Sequence, residues 1–542
     1  LALVLTWPTL EHSASAALAQ RGLAVSSEAP RATQEAMSLL ARTREPGNAA
    51  DAAIVAALVA GVVSPSSSGI GGGGFVNHWD QSRGTSAILD FREVAPALVD
   101  SAAFEARPFA PEKRALATGV PGEVRGLYEL HLRHGRVPWP ELVGIAAGVA
   151  ERGFAVSPHL AKALERTKDA LALDPGSSSL WLQKGRLPAA GVWVKNPRLG
   201  KTLRAIAERG PSVFYEGPIA EEIVATARAH GSQVTTSDLA NYRVKERAPL
   251  ALDWHGYRIH TMPPPSAGGY TLAHALGLYE PEELSVLGFH TPAYVHAVTE
   301  ALRAAIADRM LHFGDPDHVN VDLATLLAPE RLARRRQTIA LDRTHALPRF
   351  VQTEDGTHHL VVRDAAGNVV SLTTTVNTAF GAKLVTEQSG IALNDELTDF
   401  TKQAWVAPFG LEQSPNRPRG GARALSSMAP TIVTRDGAVV LALGGSGGLN
   451  IATDVTQVLL HALLFGPSAK EAVEAPRAQI PFEGTVRIKE SLGAEFVRDL
   501  EARGEVVSTY DTTYTAVQLL AVKDGVVSAA ADPQKGGLAL VR

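Results

Sequence analysis

The sequence predicts a protein of mixed α and β structure, and three observations carry that prediction. Two runs of β-branched and apolar residues, 360–363 and 369–376, flank Asp364-Ala-Ala-Gly367-Asn368, the pattern of a β-hairpin. Segments over 196–209, 218–230 and 292–313 repeat apolar residues at helical spacing between recognisable ends. Over 542 residues the chain is 45% hydrophobic and 20% charged, an ordinary globular balance with enough length for one large unit or several. A formal net charge of -4 leaves no nucleic-acid footprint. Cysteine is absent, so disulfides and thiolate chemistry are excluded, and covalent catalysis would need a hydroxyl, amine, carboxylate or imidazole.

Taken in order, the opening Leu1-Ala-Leu-Val-Leu reads, with small-residue cleavage sites at Ala14-Ser15-Ala16 or Ala17-Leu18-Ala19, as the end of a secretory signal over 1–25. The expected location is then periplasmic or secreted. The alternative is an apolar N-terminal arm on a cytoplasmic protein. No other run is long and apolar enough to span a bilayer. Asn48 caps an alanine-rich helix to about Gly61, with Asp51 in its first turn. Gly69-Ile-Gly71-Gly-Gly-Gly74 has the spacing of a dinucleotide fingerprint, but a Pro-Ser loop precedes it and the strand-like Phe75-Val-Asn-His-Trp79 follows, so close backbone packing is the better account. Ala87 to Glu93 reads as a strand ending in charge, with Arg92 by default half of an ion pair with Glu93 or Asp90.

Thr291 and Pro292 start the longest helix, on which Glu300, Arg303 and Asp308 read as a solvated face. Charge and loop signals dominate 314–355, an exposed segment that would tolerate a chain break. Past the hairpin, Glu396 and Asp399 beside Asn377 form an acceptor-rich pocket suited to a primary ammonium group. The segment 401–424, with Trp405, reads as a loop able to cover such a site. After the strand Val439 to Leu443, Gly444-Gly-Ser-Gly447-Gly448 lets backbone N–H groups converge on an anion. No Lys-Ser/Thr follows to make it a phosphate loop.

The hairpin is the candidate centre. Asp364 suits the first position of a type I turn and Gly367 the left-handed position after it. Counting outward from Asp364 opposite Asn368 sets Thr357 opposite Thr375, close enough to share a hydrogen bond. Ordinary sheets also contain such pairs.

Gly356-Thr357-His358-His359-Leu-Val-Val, Asp364-Ala-Ala-Gly-Asn and Thr373-Thr-Thr375-Val-Asn377 resemble the start of the small subunit of γ-glutamyltransferases (glutathione hydrolases), which are N-terminal-nucleophile hydrolases. Leu89-Asp-Phe-Arg92-Glu-Val, Pro263-Pro-Pro-Ser266-Ala-Gly-Gly, Leu425-Ser426-Ser427-Met and the 444–448 glycines follow in the family's order, so the likeness covers nearly the whole chain from about residue 45. It implies an α+β fold, a four-layer αββα sandwich around two antiparallel sheets. It further implies self-cleavage before Thr357 into a large subunit, 26–356, and a small subunit, 357–542, that remain together as a heterodimer. Thr357 would be the nucleophile, supported by Thr375, with Gly447 and Gly448 as oxyanion hole. Arg92, Ser426 and Ser427 would hold the substrate α-carboxylate, and Asn377, Glu396 and Asp399 its ammonium. The donor would be a γ-glutamyl amide such as glutathione, the acceptor water or an amino acid or peptide amine, with no metal or organic cofactor. Three departures from the family pattern stand out: Thr-His-His at 357–359, Asp395 and Thr398, and Ser446 where Pro is usual. Two other readings remain open, an acylase for glutaryl or cephalosporin side chains and an uncleaved binding protein, with or without a nucleotide at Gly69–Gly74.

Overall fold

The computed structural model describes residues 22–182, 184–345, 356–480 and 484–542. Most of the signal reading, 1–25, lies outside them, as does the stretch 346–355 just before the expected cut. Two antiparallel sheets form the centre. The strands are β1 (Ala24–Ser27), β2 (Gly73–Asp80), β3 (Thr85–Asp90), β4 (Lys245–Arg247), β5 (Leu250–Trp254), β6 (Tyr257–Thr261), β7 (Gly356–Arg363), β8 (Val369–Asn377), β9 (Thr431–Arg435), β10 (Ala438–Ser446), β11 (Ala516–Lys523), β12 (Val526–Ala531) and β13 (Leu538–Val541). The first sheet runs β13-β1-β7-β8-β2-β3-β4, the second β12-β11-β10-β9-β6-β5.

Side-chain alternation on β7 and β8 explains the layering. Leu360, Val362, Val370 and Leu372 point to a core that includes helix α1 (Ala49–Val63), while Val361 and Val369 meet Ile432, Ala442 and Leu520 of the second sheet. On the far side, helices α2 (Gly268–Leu278), α3 (Pro292–His312) and α4 (Asn450–Leu460) share another core with residues of that sheet. The order is helix, sheet, sheet, helix, the four-layer sandwich expected. Apart from Asp51, α1 is apolar all round, and it is stable because it is buried on every side. Asn48 and Asp51 close its capping box, and Asp364 Oδ2 accepts from Ala49 N at 3.1 Å, so the hairpin turn is pinned to the helix start.

Helices at Pro197–Arg209, Pro218–Ala229 and Pro292–His312 match the expected periods. Two expectations need correction. The segment from 314 is not only loop, for it contains helices Leu323–Leu326 and Pro329–Thr338. Nor do Glu300, Arg303 and Asp308 form a solvated face. All three are buried: Arg303 pairs with Glu300 at 2.6 Å and with Glu505, whereas Asp308 takes Tyr270 and Arg331, each at 2.6 Å. Helical spacing cannot reveal partners that arrive from about 200 residues downstream.

Candidate active site

The hairpin adopts the register the spacing predicts. Asp364 N donates to Asn368 O at 3.1 Å, Gly367 N to Asp364 O at 3.1 Å, and Thr375 pairs with Thr357. Both threonine side chains face the second sheet, with their Oγ1 atoms 3.4 Å apart. Thr375 Oγ1 donates to Gly356 O at 2.7 Å and accepts from Asn377 N at 2.8 Å. A bulge between Thr375 and Asn377 shifts the ladder, so Asn377 pairs with Gly356. It sets Asn377 at φ 76°, a left-handed conformation that asparagine tolerates better than most residues. Gly356 is needed there: a Cβ would lie 2.5 Å from the carbonyl oxygens of both Asn377 and Thr378. Gly72 and Gly74 likewise press against β8, where a Cβ would strike the Thr375 and Thr373 oxygens. The glycine run is thus a packing surface beneath the hairpin.

Asn377 leads to a buried charge cluster. Its Nδ2 donates to Asp395 O at 3.1 Å and Thr398 Oγ1 at 2.6 Å, on either side of Glu396. Arg92, fully buried, pairs with Glu396 at 2.5 Å and Asp399 at 2.6 Å, and also donates to Ala424 O and Leu425 O. Sequence reasoning put Arg92 opposite a substrate carboxylate and the two acids opposite its ammonium; the structure joins all three directly. Burial works against the guanidinium charge, but Glu396, Asp399 and Glu93 hold its pKa above the ordinary value. Glu93 is buried too, and among the described residues neither carboxylate oxygen has a partner beyond its own amide. Burial pushes its pKa up to about 8 against the pull of Arg92. Ser426 and Ser427 follow the carbonyls that hold Arg92; both are buried, and Ser426 Oγ accepts from Met428 N at 3.1 Å.

Gly447 and Gly448 sit between β10 and α4, at φ 123° and 61°. One side chain links this loop to the hairpin. Lys535, itself buried, donates to Thr357 O at 3.0 Å and Ser446 Oγ at 2.6 Å, and pairs with Glu28 at 3.2 Å. Glu28 in turn accepts from His359 N at 2.9 Å. Sequence reasoning missed Lys535 and Glu28, because a lone lysine in Asp-Pro-Gln-Lys and a glutamate after a short strand carry no local signal. It did single out Ser446 as a departure; that hydroxyl supplies the acceptor a proline would lack. Burial lowers the pKa of His358 to about 3 and that of His359 well below the ordinary value, so neither imidazole is a useful proton acceptor near neutral pH.

The family sequence model described as Gamma-glutamyltranspeptidase matches residues 32–541. Glutathione hydrolase 2 of Arabidopsis thaliana is 39% identical over 447 residues, spanning 80% of this chain and 76% of that protein. The glutathione hydrolase proenzyme of Pseudomonas aeruginosa is 35% identical over 511 residues, 91% of this chain and 90% of the other. Among solved structures, a cephalosporin acylase from Bacillus halodurans superposes with TM-score 0.84 at 26% identity, covering 96% of this chain and 95% of that one.

Proposed function

The chain belongs to the gamma-glutamyltranspeptidase family, and from that premise we propose that it hydrolyses and transfers the γ-glutamyl group of glutathione and related amides through a threonyl ester on Thr357. The observation that carries the residue assignment is the contact of Thr375 Oγ1 with Gly356 O, beside Thr357 Oγ1. That donor polarises the carbonyl the Thr357 hydroxyl must attack for self-cleavage. The oxygen bonds to the Gly356 carbonyl carbon, the C–N bond breaks, and the hydroxyl proton passes to the departing nitrogen. Water then hydrolyses the ester, which gives Gly356 a carboxylate and frees the Thr357 hydroxyl beside the amine already released.

The freed α-amine, with a reference pKa of about 7.7–8.0, is partly neutral near physiological pH and serves as base for its own hydroxyl, directly or through water. Thr357 Oγ1 attacks the γ-carbonyl, the Gly447 and Gly448 N–H groups stabilise the oxyanion, and the amine leaves with a proton. Water or an acceptor amine then resolves the ester. Lys535 keeps the Thr357 carbonyl and the Ser446 end of the glycine loop at fixed separation.

Charge balance favours a γ-glutamyl over a glutaryl substrate. A glutaryl carboxylate would add a net negative charge beside Glu396 and Asp399, whereas the α-ammonium of a γ-glutamyl group offsets its own carboxylate. That ammonium would sit at Asn377, Glu396 and Asp399, while Arg92, Ser426 and Ser427 take the carboxylate. The acylase reading rests on the likeness to the Bacillus halodurans enzyme; a glutaryl chain would bring no cation to Glu396 and Asp399.

Purified protein is expected to run as two pieces ending and starting at 356 and 357. Thr357→Ala should stay one chain and lose about 10^4-fold or more in activity on γ-glutamyl anilide. Cut material from that variant, or faster turnover of glutaryl anilide by the wild type, would overturn the assignment.

A further inference from the structure

A cavity of about 540 Å³ adjoins the candidate site, and Asp395 and Thr398, which accept from Asn377 Nδ2, help line it. Its charged lining is one-sided, with Arg107, Arg114, Lys383 and Lys402 against Asp395 alone. Asp395 is already engaged by Thr378 N at 2.9 Å and Lys383 at 3.4 Å. Among the described residues Arg107, Arg114 and Lys402 form no salt bridge.

Arg107 is 8% exposed. Its Nε donates to Phe104 O at 2.6 Å and its Nη1 to Thr398 O at 2.6 Å and Phe400 O at 2.8 Å. These bonds, and rings of Phe104 and Trp405 centred 5.5 and 5.6 Å from its Cζ, fix the guanidinium in place. Its Nη2 is nevertheless buried with no hydrogen-bond partner, as is Arg114 Nε. A buried donor left unmatched is costly, and a preset guanidinium edge fits a carboxylate. Burial pushes the pKa of Arg107 down to about 10, and burial together with Arg107 lowers that of Lys402. An anion in the cavity would relieve both.

We propose that this cavity is an anion subsite that takes a carboxylate of a small molecule, namely the one carried by the amine half of a γ-glutamyl donor or acceptor. The assignment of that occupant rests on the γ-glutamyl reading above. Carboxylate chemistry also fits a free anion acting on the same cations, and the test separates the two sources.

Matured enzyme is assayed with γ-glutamylglycine and its neutral counterpart γ-glutamylglycinamide. The wild type should prefer the acid by about tenfold in kcat/KM, the scale of one charge-assisted hydrogen bond. Lys402→Met and Arg114→Gln should each reduce that preference while turnover of the amide persists, and Lys402→Arg should restore it. If the source is a free anion, the donor preference is absent, and added glutarate changes the rate on both donors in the wild type but not in Lys402→Met. Variants that alter neither the preference nor the glutarate response overturn the subsite. A wild type that cleaves neither donor overturns the γ-glutamyl reading instead; calorimetric titration of glutarate into wild type and Lys402→Met then decides the cavity alone, and equal affinity rejects it.

Discussion

Of the buried clusters of arginine and carboxylates in this molecule, two differ in how their charges close. Around Arg303 on α3, Glu300 and Glu505 meet one guanidinium and His296, which bonds Glu505 at 2.7 Å and whose pKa is raised despite burial. Around Arg92, Glu396 and Asp399 meet one guanidinium, and Glu93 lies beside it with no partner for either oxygen beyond its own amide. The first cluster is complete, and so reads as structural. The second sets two carboxylates on one guanidinium next to a hairpin bearing two facing hydroxyls, where a substrate cation would meet acceptors beside a nucleophile.

The largest effect expected from this contrast is on stability. Glu505→Gln should cost about 3–5 kcal/mol in urea unfolding at neutral pH, since it takes the shared carboxylate from His296 and leaves Arg303 with Glu300 alone, yet leave the specific activity of folded enzyme intact. Burial would raise the Glu505 pKa, but bonds from His296 and Arg303 hold it at about 2. A depressed carboxylate stabilises above its ordinary pKa, so this contribution should fade as the pH falls from about 4.5 toward 2, and the variant should lack that slope. Next in size, Asp399→Asn should reduce kcat/KM for a γ-glutamyl donor by about 10–100-fold, equivalent to about 1.5–3 kcal/mol. Its unfolding midpoint should move less than that of Glu505→Gln, because Arg92 keeps Glu396. The reverse ranking would erase the distinction between the clusters. A change of opposite sign is expected at Glu93. Its pKa is raised by burial, so stability present below about 4.5 is lost as the pH climbs toward 8. Glu93→Gln should therefore gain on the wild type steadily as the pH rises from 5 to 8.

What could be read in the sequence was local. The hairpin register followed from counting outward from Asp364 and Asn368, and the helix start from Asn48 as cap with Asp51 in the first turn. The glycine run was rightly read as a packing surface, since its neighbours gave it neither a preceding strand nor a following helix. Long-range closure was not legible. Glu505 reaches Arg303 across 202 positions and Lys535 reaches Thr357 across 178, and no periodicity encodes such meetings. Direct pairing of Arg92 with the two acids was missed for the same reason, although each residue had been singled out.

The position of β1 has a consequence for what a cut before Thr357 would do. This short strand comes from near the start of the chain and lies between β7 and β13, both from beyond residue 355. Scission would therefore leave one product threaded through the sheet of the other, with Glu28 of the first fragment clasping Lys535 of the second. The break would liberate a terminus without liberating a subunit. Pulling the halves apart would mean tearing four backbone ladders, β1 from β7 and β13, β2 from β8 and β6 from β9, and exposing a buried ion pair, so the severed protein would stay assembled as a single cooperative body.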